Sequence, residues 1–167
     1  MDLDDTHRHH LRRCVELARE ALDAGDDPFG SVLVGADGRV LAERRNRERT
    51  GQPLAHPEID LALWAGEHLS PEERAAATVY TSGEHCAMCS AAHGWVGLGP
   101  IVYAVSSRQL DQWRSEWGAG PSPVLTLAVN EVVPDLPVLG PDPELEAEMR
   151  ELHERAFRRG DRGLSGL

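Results

Sequence analysis

The segment TVYTSGEHCAMC spans residues 78–89 and contains two kinds of local structure. Its first half, Thr78 to Ser82, is rich in β-branched and aromatic residues and predicts a strand. Its second half places Cys86 at the start of a predicted helix that continues to about Val96. Because residues three apart share one face of a helix, Cys86 and Cys89 are expected to present their sulfur atoms together. The positive end of that helix favours the ionised form of both thiols.

The flanking sequence predicts alternating helices and strands. Apolar residues at helical spacing predict a helix over 5–24 that ends at Gly25, and an Asp-Gly turn predicts a hairpin with strands at 31–35 and 39–43. The remaining predicted elements are a helix over 57–68, a short helix after Ser70, a strand over 101–105, an edge strand within 131–139 and a helix over 143–158. This order predicts an α/β fold in which helices cover both faces of a sheet. We expect residues 1–167 to form a single domain with a mobile tail from about residue 159.

A second group of metal-binding residues lies upstream of the cysteines. His56 precedes Pro57 at a predicted helix start, and Glu58 follows two positions after the histidine. One imidazole and the thiolates of Cys86 and Cys89 make three ligands for zinc, which leaves one tetrahedral position open, as in catalytic sites. Glu58 is well placed to move protons to and from a water in that position.

The sequence also allows other interpretations of the cysteines. A C-x-x-C pair also occurs in redox sites, although a redox pair leaves His56 and Glu58 unexplained. It also forms half of many structural zinc sites, for which the neighbouring His85 is the candidate fourth ligand. Cys14 stands alone in a helical segment and is interpreted as a small buried apolar residue.

Composition limits the partners. The formal net charge is −11, which disfavours nucleic acid and favours a small neutral substrate. No stretch approaches the roughly 20 apolar residues that a membrane helix needs, and residues 1–13 lack the apolar core of a secretory signal, so we expect a cytoplasmic protein. Five arginines cluster upstream of the histidine and are interpreted as a solvated surface or, alternatively, as a small RNA-facing patch: Arg39, Arg44, Arg45, Arg47 and Arg49.

The motif residues carry a resemblance to a known family. HPE at 56–58 together with EHCAMC at 84–89 resembles the cytidine deaminase superfamily. DPFGSVLV at 27–34, Asn-Arg at 46–47 and TSGE at 81–84 are similar to its branch of guanine deaminases and tRNA adenosine deaminases. Two positions depart from the pattern of this branch, since Pro57 replaces the usual alanine and His85 the usual proline.

The resemblance implies a fold and a site. The implied fold is a three-layer α/β/α sandwich with a five-stranded mixed sheet. The resemblance also implies one Zn²⁺ per subunit and a homodimeric assembly. Asn46 is expected to hydrogen-bond the substrate base, and Phe29 and Trp95 are expected near its ring. Simpler interpretations stay open for these three: Asn46 as a turn residue, and Phe29 and Trp95 as core residues.

The function expected from the resemblance is hydrolytic deamination of a free nucleobase, with guanine converted to xanthine and ammonia. One alternative is a tRNA adenosine deaminase, which would use the arginines around Asn46. Another is a deaminase of cytosine, a nucleoside or a triazine. An inactive, zinc-stabilised binding module is the non-enzymatic alternative, and the presence of Glu58 argues against it.

Overall fold

A computed structural model of the chain describes residues 3–159; residues 160–167, which contain most of the predicted mobile tail, lie outside the described part. The elements follow in the order α1 (Asp5–Ala24), β1 (Gly30–Val34), β2 (Val40–Arg45), α2 (Pro57–His68), α3 (Pro71–Ala76), β3 (Thr78–Gly83), α4 (Ala87–Val96), β4 (Ile101–Val105), α5 (Ser107–Glu116), α6 (Val129–Val132), β5 (Val138–Leu139) and α7 (Glu146–Arg158). The sequence-predicted starts and ends of α1, α2 and β4 are confirmed.

The five strands form one mixed sheet in the spatial order β2-β1-β3-β4-β5. β1 is antiparallel to both β2 and β3, whereas β3, β4 and β5 run parallel to one another. This topology brings the start of β1 and the end of β3 to the same edge of the sheet. Ser31 of β1 pairs there with Thr81 of β3.

Helices cover both faces of the sheet, which confirms the predicted α/β/α layering. Successive strand residues point to opposite faces, so Val32 packs with α1, α5 and α7, while Leu33 packs with α2. The first core cluster includes Trp113 of α5 and Met149 of α7. The second includes Leu61 of α2 and lies on the side of the sheet that carries the site.

An edge strand is present within residues 131–139, as predicted, but it is limited to Val138–Leu139. The chain forms the short helix α6 first, and only the two residues of β5 pair with β4. Pro134 and Pro137 lack an N–H group, which prevents a longer ladder.

The last helix begins three residues later than predicted. The Asp142 carboxylate does not cap a helix at Pro143: it accepts hydrogen bonds from the backbone N–H of Glu144 and from Nε of Arg8. The chain therefore turns once more before α7 begins at Glu146.

Within the described residues, none of the helices combines the length and hydrophobicity that crossing a bilayer requires.

Candidate active site

Two helix N-termini bring the predicted metal ligands together. His56 is the N-cap of α2 and Cys86 is the N-cap of α4, with Cys89 one turn further on. Nδ1 of His56 lies 3.7 Å from Sγ of Cys86 and 3.6 Å from Sγ of Cys89. All three donor atoms lie within 4.8 Å of one another and are almost entirely buried.

The spacing of these atoms fits zinc. With Zn–S bonds of about 2.3 Å and Zn–N bonds of about 2.0–2.1 Å, tetrahedral geometry separates nitrogen and sulfur ligands by about 3.6 Å. The observed separations match this value without any movement of the side chains. Among the described residues, one imidazole and two sulfur ligands could therefore hold a single zinc ion, which leaves a fourth position for a non-protein ligand.

Electrostatics already favour part of the charge state that zinc requires. The pKa of Cys86 is lowered to about 4, first by hydrogen bonding with Cys89 and also by hydrogen bonding with His56. Burial alone would lower the pKa of His56, but hydrogen bonds with Cys86 and Glu48 outweigh burial and raise it to about 10. The pKa of Cys89 is raised by its hydrogen bond with Cys86 and by burial. Zinc binding at these residues consequently releases protons.

Glu58 lies in the first turn of α2 and is buried beside the metal ligands. Its Oε1 is 3.0 Å from Oγ of Ser31 and 2.9 Å from Oγ1 of Thr81, and the two hydroxyls are 2.9 Å apart. Burial raises the pKa of Glu58, against the lowering effect of the neighbouring His56. The carboxylate is thus fixed in orientation and made more basic than an exposed one.

The loop after β2 carries further site residues, and hydrogen bonds to the buried Asp26 hold it in place. The carboxylate of Asp26 is fully buried and accepts the backbone N–H groups of Arg49 and Thr50 as well as the hydroxyl of Thr50. The loop begins with Asn46, whose N–H donates to the carbonyl of Phe29. It ends immediately before His56.

The structure turns the Asn46 side chain towards Glu48. Nδ2 of Asn46 donates to Oε2 of Glu48 at 2.8 Å, and Oδ1 accepts the backbone N–H of Glu48 at 2.9 Å. Oε1 of Glu48 in turn lies 3.4 Å from Nε2 of His56. Asn46 is therefore a turn residue that also belongs to the site through Glu48.

His85 is not part of the metal-binding group. Its ring is buried and meets the ring of His93 edge-on, with the ring centres 5.3 Å apart. Burial lowers its pKa, and neither ring nitrogen makes a hydrogen bond within the described chain. The extra imidazole beside the cysteines thus packs in the interior and leaves the ligand set at three.

The two aromatic residues predicted near the substrate lie in different surroundings. Phe29 is partly buried at the sheet edge, where its ring contacts Gly83 and lies 4.9 Å from the ring of His153. Trp95 is 91% exposed on α4, so within one chain its indole is not packed among the site residues.

Three residues at the site were not predicted from the sequence: Ser31, Thr81 and Glu48. A signal existed for Ser31, which is a polar residue in the otherwise apolar, fully buried strand β1, whereas Thr81 has other polar residues beside it in β3. Glu48 is a lone acid among arginines, and the sequence contains no sign that it turns inward.

The arginine cluster upstream of the histidine is engaged within the chain. Arg45 pairs with Asp26, Arg47 with Asp60 and Arg49 with Asp27. The guanidinium of Arg44 donates to the backbone carbonyl of Glu43. These contacts favour the interpretation of a surface strand and loop over an RNA-facing patch, and they add an internal pairing that the sequence did not predict.

Several named deaminases have similar sequences. Guanine deaminase of Bacillus subtilis is 37% identical over 100 residues, covering 59% of this chain and 64% of the relative. A tRNA-specific adenosine deaminase of Agrobacterium fabrum is 35% identical over 96 residues, covering 57% and 62%. The protein named probable cytosine deaminase in Schizosaccharomyces pombe is 28% identical over 120 residues, covering 72% and 73%. The chain thus spans less than two thirds of the first two relatives.

A solved structure extends the likeness to nearly the whole chain. Guanine deaminase from Nitrosomonas europaea superposes with a TM-score of 0.68 at 20% identity, covering 95% of this chain and 87% of the other, which identifies the fold. The family model for the cytidine and deoxycytidylate deaminase zinc-binding region matches residues 4–105, which contain β1, β2, β3 and all three metal ligands. The chain therefore belongs to the zinc-dependent cytidine and deoxycytidylate deaminase family.

Proposed function

We propose that this protein deaminates a free nucleobase by hydrolysis, with guanine as its substrate and xanthine and ammonia as its products. The observation that carries the proposal is the buried Glu58, held by two hydroxyls beside a three-ligand zinc site with one position free for a non-protein ligand. Zinc held by His56, Cys86 and Cys89 supplies Lewis-acid activation of water at neutral pH.

In the proposed reaction, Glu58 accepts a proton from the attacking water and delivers it to the ring nitrogen next to the amidine carbon. The water oxygen bonds to that carbon. A second proton passes through the same carboxylate to the amino group, the C–N bond breaks, and ammonia leaves as the carbonyl forms. Such a carboxylate must be positioned and moderately basic, which the contacts of Ser31 and Thr81 and the burial of Glu58 support.

Two observations support a free base over tRNA. The formal net charge of −11 opposes binding to a phosphate backbone. Arg45, Arg47 and Arg49 are engaged by Asp26, Asp60 and Asp27. The likeness to guanine deaminase of Bacillus subtilis favours guanine among the free bases. In this proposal Phe29 lines the pocket, and Asn46 contributes to base recognition from the loop.

The test is a substrate panel with the zinc-loaded protein. Guanine, adenine, cytosine, guanosine and an aminotriazine are incubated separately, and released ammonia and the oxo product are quantified. We expect ammonia and xanthine from guanine. Release from cytosine with none from guanine would overturn the guanine assignment and leave hydrolytic deamination standing. A gel-shift titration with tRNA at low salt tests the RNA alternative, for which salt-sensitive binding is required.

We also propose a homodimer built on α2 and α4. These helices pack against each other, with Gly66 of α2 lying against Val96 of α4. Each exposes one large apolar side chain, Leu63 at 62% and Trp95 at 91%. Contiguous exposed apolar surface marks protein interfaces, and the packing of α2 on α4 places both side chains on one pair of neighbouring helices. Sedimentation velocity is expected to give twice the mass of one chain, and Trp95→Glu is expected to yield the single-chain mass. A wild-type monomer at high concentration would contradict the dimer.

A further inference from the structure

Glu48 contacts one of the metal ligands. It is not a zinc ligand itself, and it takes no part in the proposed proton transfers. Its side chain is only 9% exposed, although it lies in a loop at the molecular surface. One carboxylate oxygen faces Nε2 of His56 at 3.4 Å, and the other accepts the amide of Asn46 at 2.8 Å. A buried carboxylate with two such partners has a defined orientation.

The two nitrogens of His56 have different surroundings. Nδ1 faces both cysteine sulfurs, whereas Nε2 faces Glu48. A neutral imidazole carries its proton on one nitrogen and a lone pair on the other. A metal bound at Nδ1 needs the lone pair there, so the proton must be on Nε2, where an acceptor stabilises it. A carboxylate is an acceptor only and therefore selects this tautomer.

Asn46 holds the carboxylate in place. Its amide contacts Glu48 twice, as donor to the side chain and as acceptor from the backbone. Asn46 is itself 1% exposed, and its backbone is tied to Phe29. Asp26 fixes the next part of the loop through Thr50. These contacts hold the loop so that the Glu48 carboxylate lies next to Nε2 of His56.

We propose that Glu48 is a positioning residue for the metal centre: it orients the His56 ring with Nε2 protonated and Nδ1 towards the metal, and Asn46 orients Glu48. Asn46 thereby serves zinc binding as well as any contact with the base. The inference rests on the zinc ligands and is independent of which base is deaminated.

Zinc affinity is the first readout, measured on each refolded variant by competition with a chromophoric chelator. Glu48→Ala is expected to weaken zinc binding about 10–100-fold, the usual effect of losing such a partner. The matched control, Glu67→Ala, removes an exposed carboxylate from α2 and is expected to keep the wild-type affinity. Wild-type affinity in Glu48→Ala, or an equal loss in the control, would overturn the proposal.

A paired substitution separates positioning from general stability. In Glu48→Gln alone, the new amide NH₂ group faces the NH₂ group of Asn46. This variant is therefore expected to weaken zinc binding. Adding Asn46→Asp restores a donor–acceptor pair between the two side chains and leaves the side-chain carbonyl at position 48 to accept from His56. We expect the double variant to bind zinc within about threefold of wild type. A double variant no better than Glu48→Ala would contradict the relay.

The tautomer gives a readout that needs no variant. Long-range ¹H–¹⁵N correlation spectra of the zinc-loaded wild-type protein are expected to show the His56 proton on Nε2 and metal coordination at Nδ1. Coordination through Nε2 would overturn the proposal, even if Glu48→Ala failed to fold.

Discussion

At the scale of single residues, the proposed chemistry depends on the buried carboxylate of Glu58. Burial raises the pKa of Glu58, and the nearby His56 acts in the opposite direction. The hydroxyls of Ser31 and Thr81 fix its position from two neighbouring strands. The side chain can therefore exchange protons without having to reorient.

Replacing this carboxylate tests the proposed role. Glu58→Gln keeps the size and polarity of the side chain but removes its basicity, so kcat is expected to fall by about 10²–10⁴-fold. Zinc content should stay at the wild-type level, because Glu58 is not a ligand. Steady-state kinetics and metal analysis on the same preparation check both expectations. Full activity in Glu58→Gln would show that another group moves the protons.

The sequence located the residues with unusual chemistry and missed the residues that support them. His56, Cys86 and Cys89 are recognisable because zinc accepts few ligand types and the spacing places them at helix starts. Ser31 and Thr81 meet only because β1 and β3 pair across 50 positions of sequence. Glu48 depends on how one loop folds over the site, which local sequence does not specify.

At the scale of elements, the packing of α1 on β1 positions the start of the strand that carries Ser31. The two elements approach so closely that a Cβ atom at Gly30 would lie 2.4 Å from Cβ of Leu17 and 2.5 Å from the carbonyl oxygen of Cys14. Backbone and helix atoms have little room to move there. The close approach accounts for a glycine at the first position of β1.

An alanine substitution measures how much this close packing contributes to stability. Gly30→Ala is expected to lower the free energy of unfolding by about 1–3 kcal/mol, because the added methyl overpacks the contact with α1. Urea unfolding at fixed pH gives the value. The matched control is Gly120→Ala, where a Cβ atom has no neighbour within 4 Å. Equal stability of the two variants would argue against the close packing of α1 on β1.

Local signals predicted the elements that are stabilised locally. α1 has a capping box at Asp4 and ends at Gly25 with a left-handed backbone, so its limits match the prediction. β5 has only two residues and exists because β4 offers a parallel edge to Val138. A strand that depends on a distant neighbour leaves a weak pattern in its own sequence, so the sequence predicted an edge strand within 131–139 without its exact limits.

At the scale of the whole molecule, buried histidines connect stability to pH. His153 of α7 is buried against Phe29 and Trp113. Burial, followed by the charge of Arg114, lowers its pKa to about 3. An unfolded chain has a histidine pKa of about 6.5, so between these values the unfolded state binds a proton that the native state excludes. Stability from this residue is complete above pH 6.5 and falls as the pH is lowered.

The pH dependence gives a quantitative expectation. Between pH 7 and pH 5, His153 is expected to cost the wild-type protein about 2 kcal/mol of unfolding free energy. His153→Leu removes the titrating group and should flatten the stability profile by about that amount. Urea midpoints at a series of pH values measure the difference, and the two profiles should run parallel above pH 7. Equal slopes below pH 6 would show that His153 is protonated in the native state.

For the site as a whole, we expect one zinc ion with three protein ligands and a fourth position for a non-protein ligand. X-ray absorption at the zinc edge of the purified, zinc-loaded protein measures this ligand set. We expect two sulfur ligands at about 2.3 Å, one imidazole, and one light non-protein ligand. Outer-shell scattering counts the imidazoles, so recruitment of His85 would be visible. Two sulfurs with two imidazoles, or four protein ligands of any kind, would contradict a three-ligand zinc site.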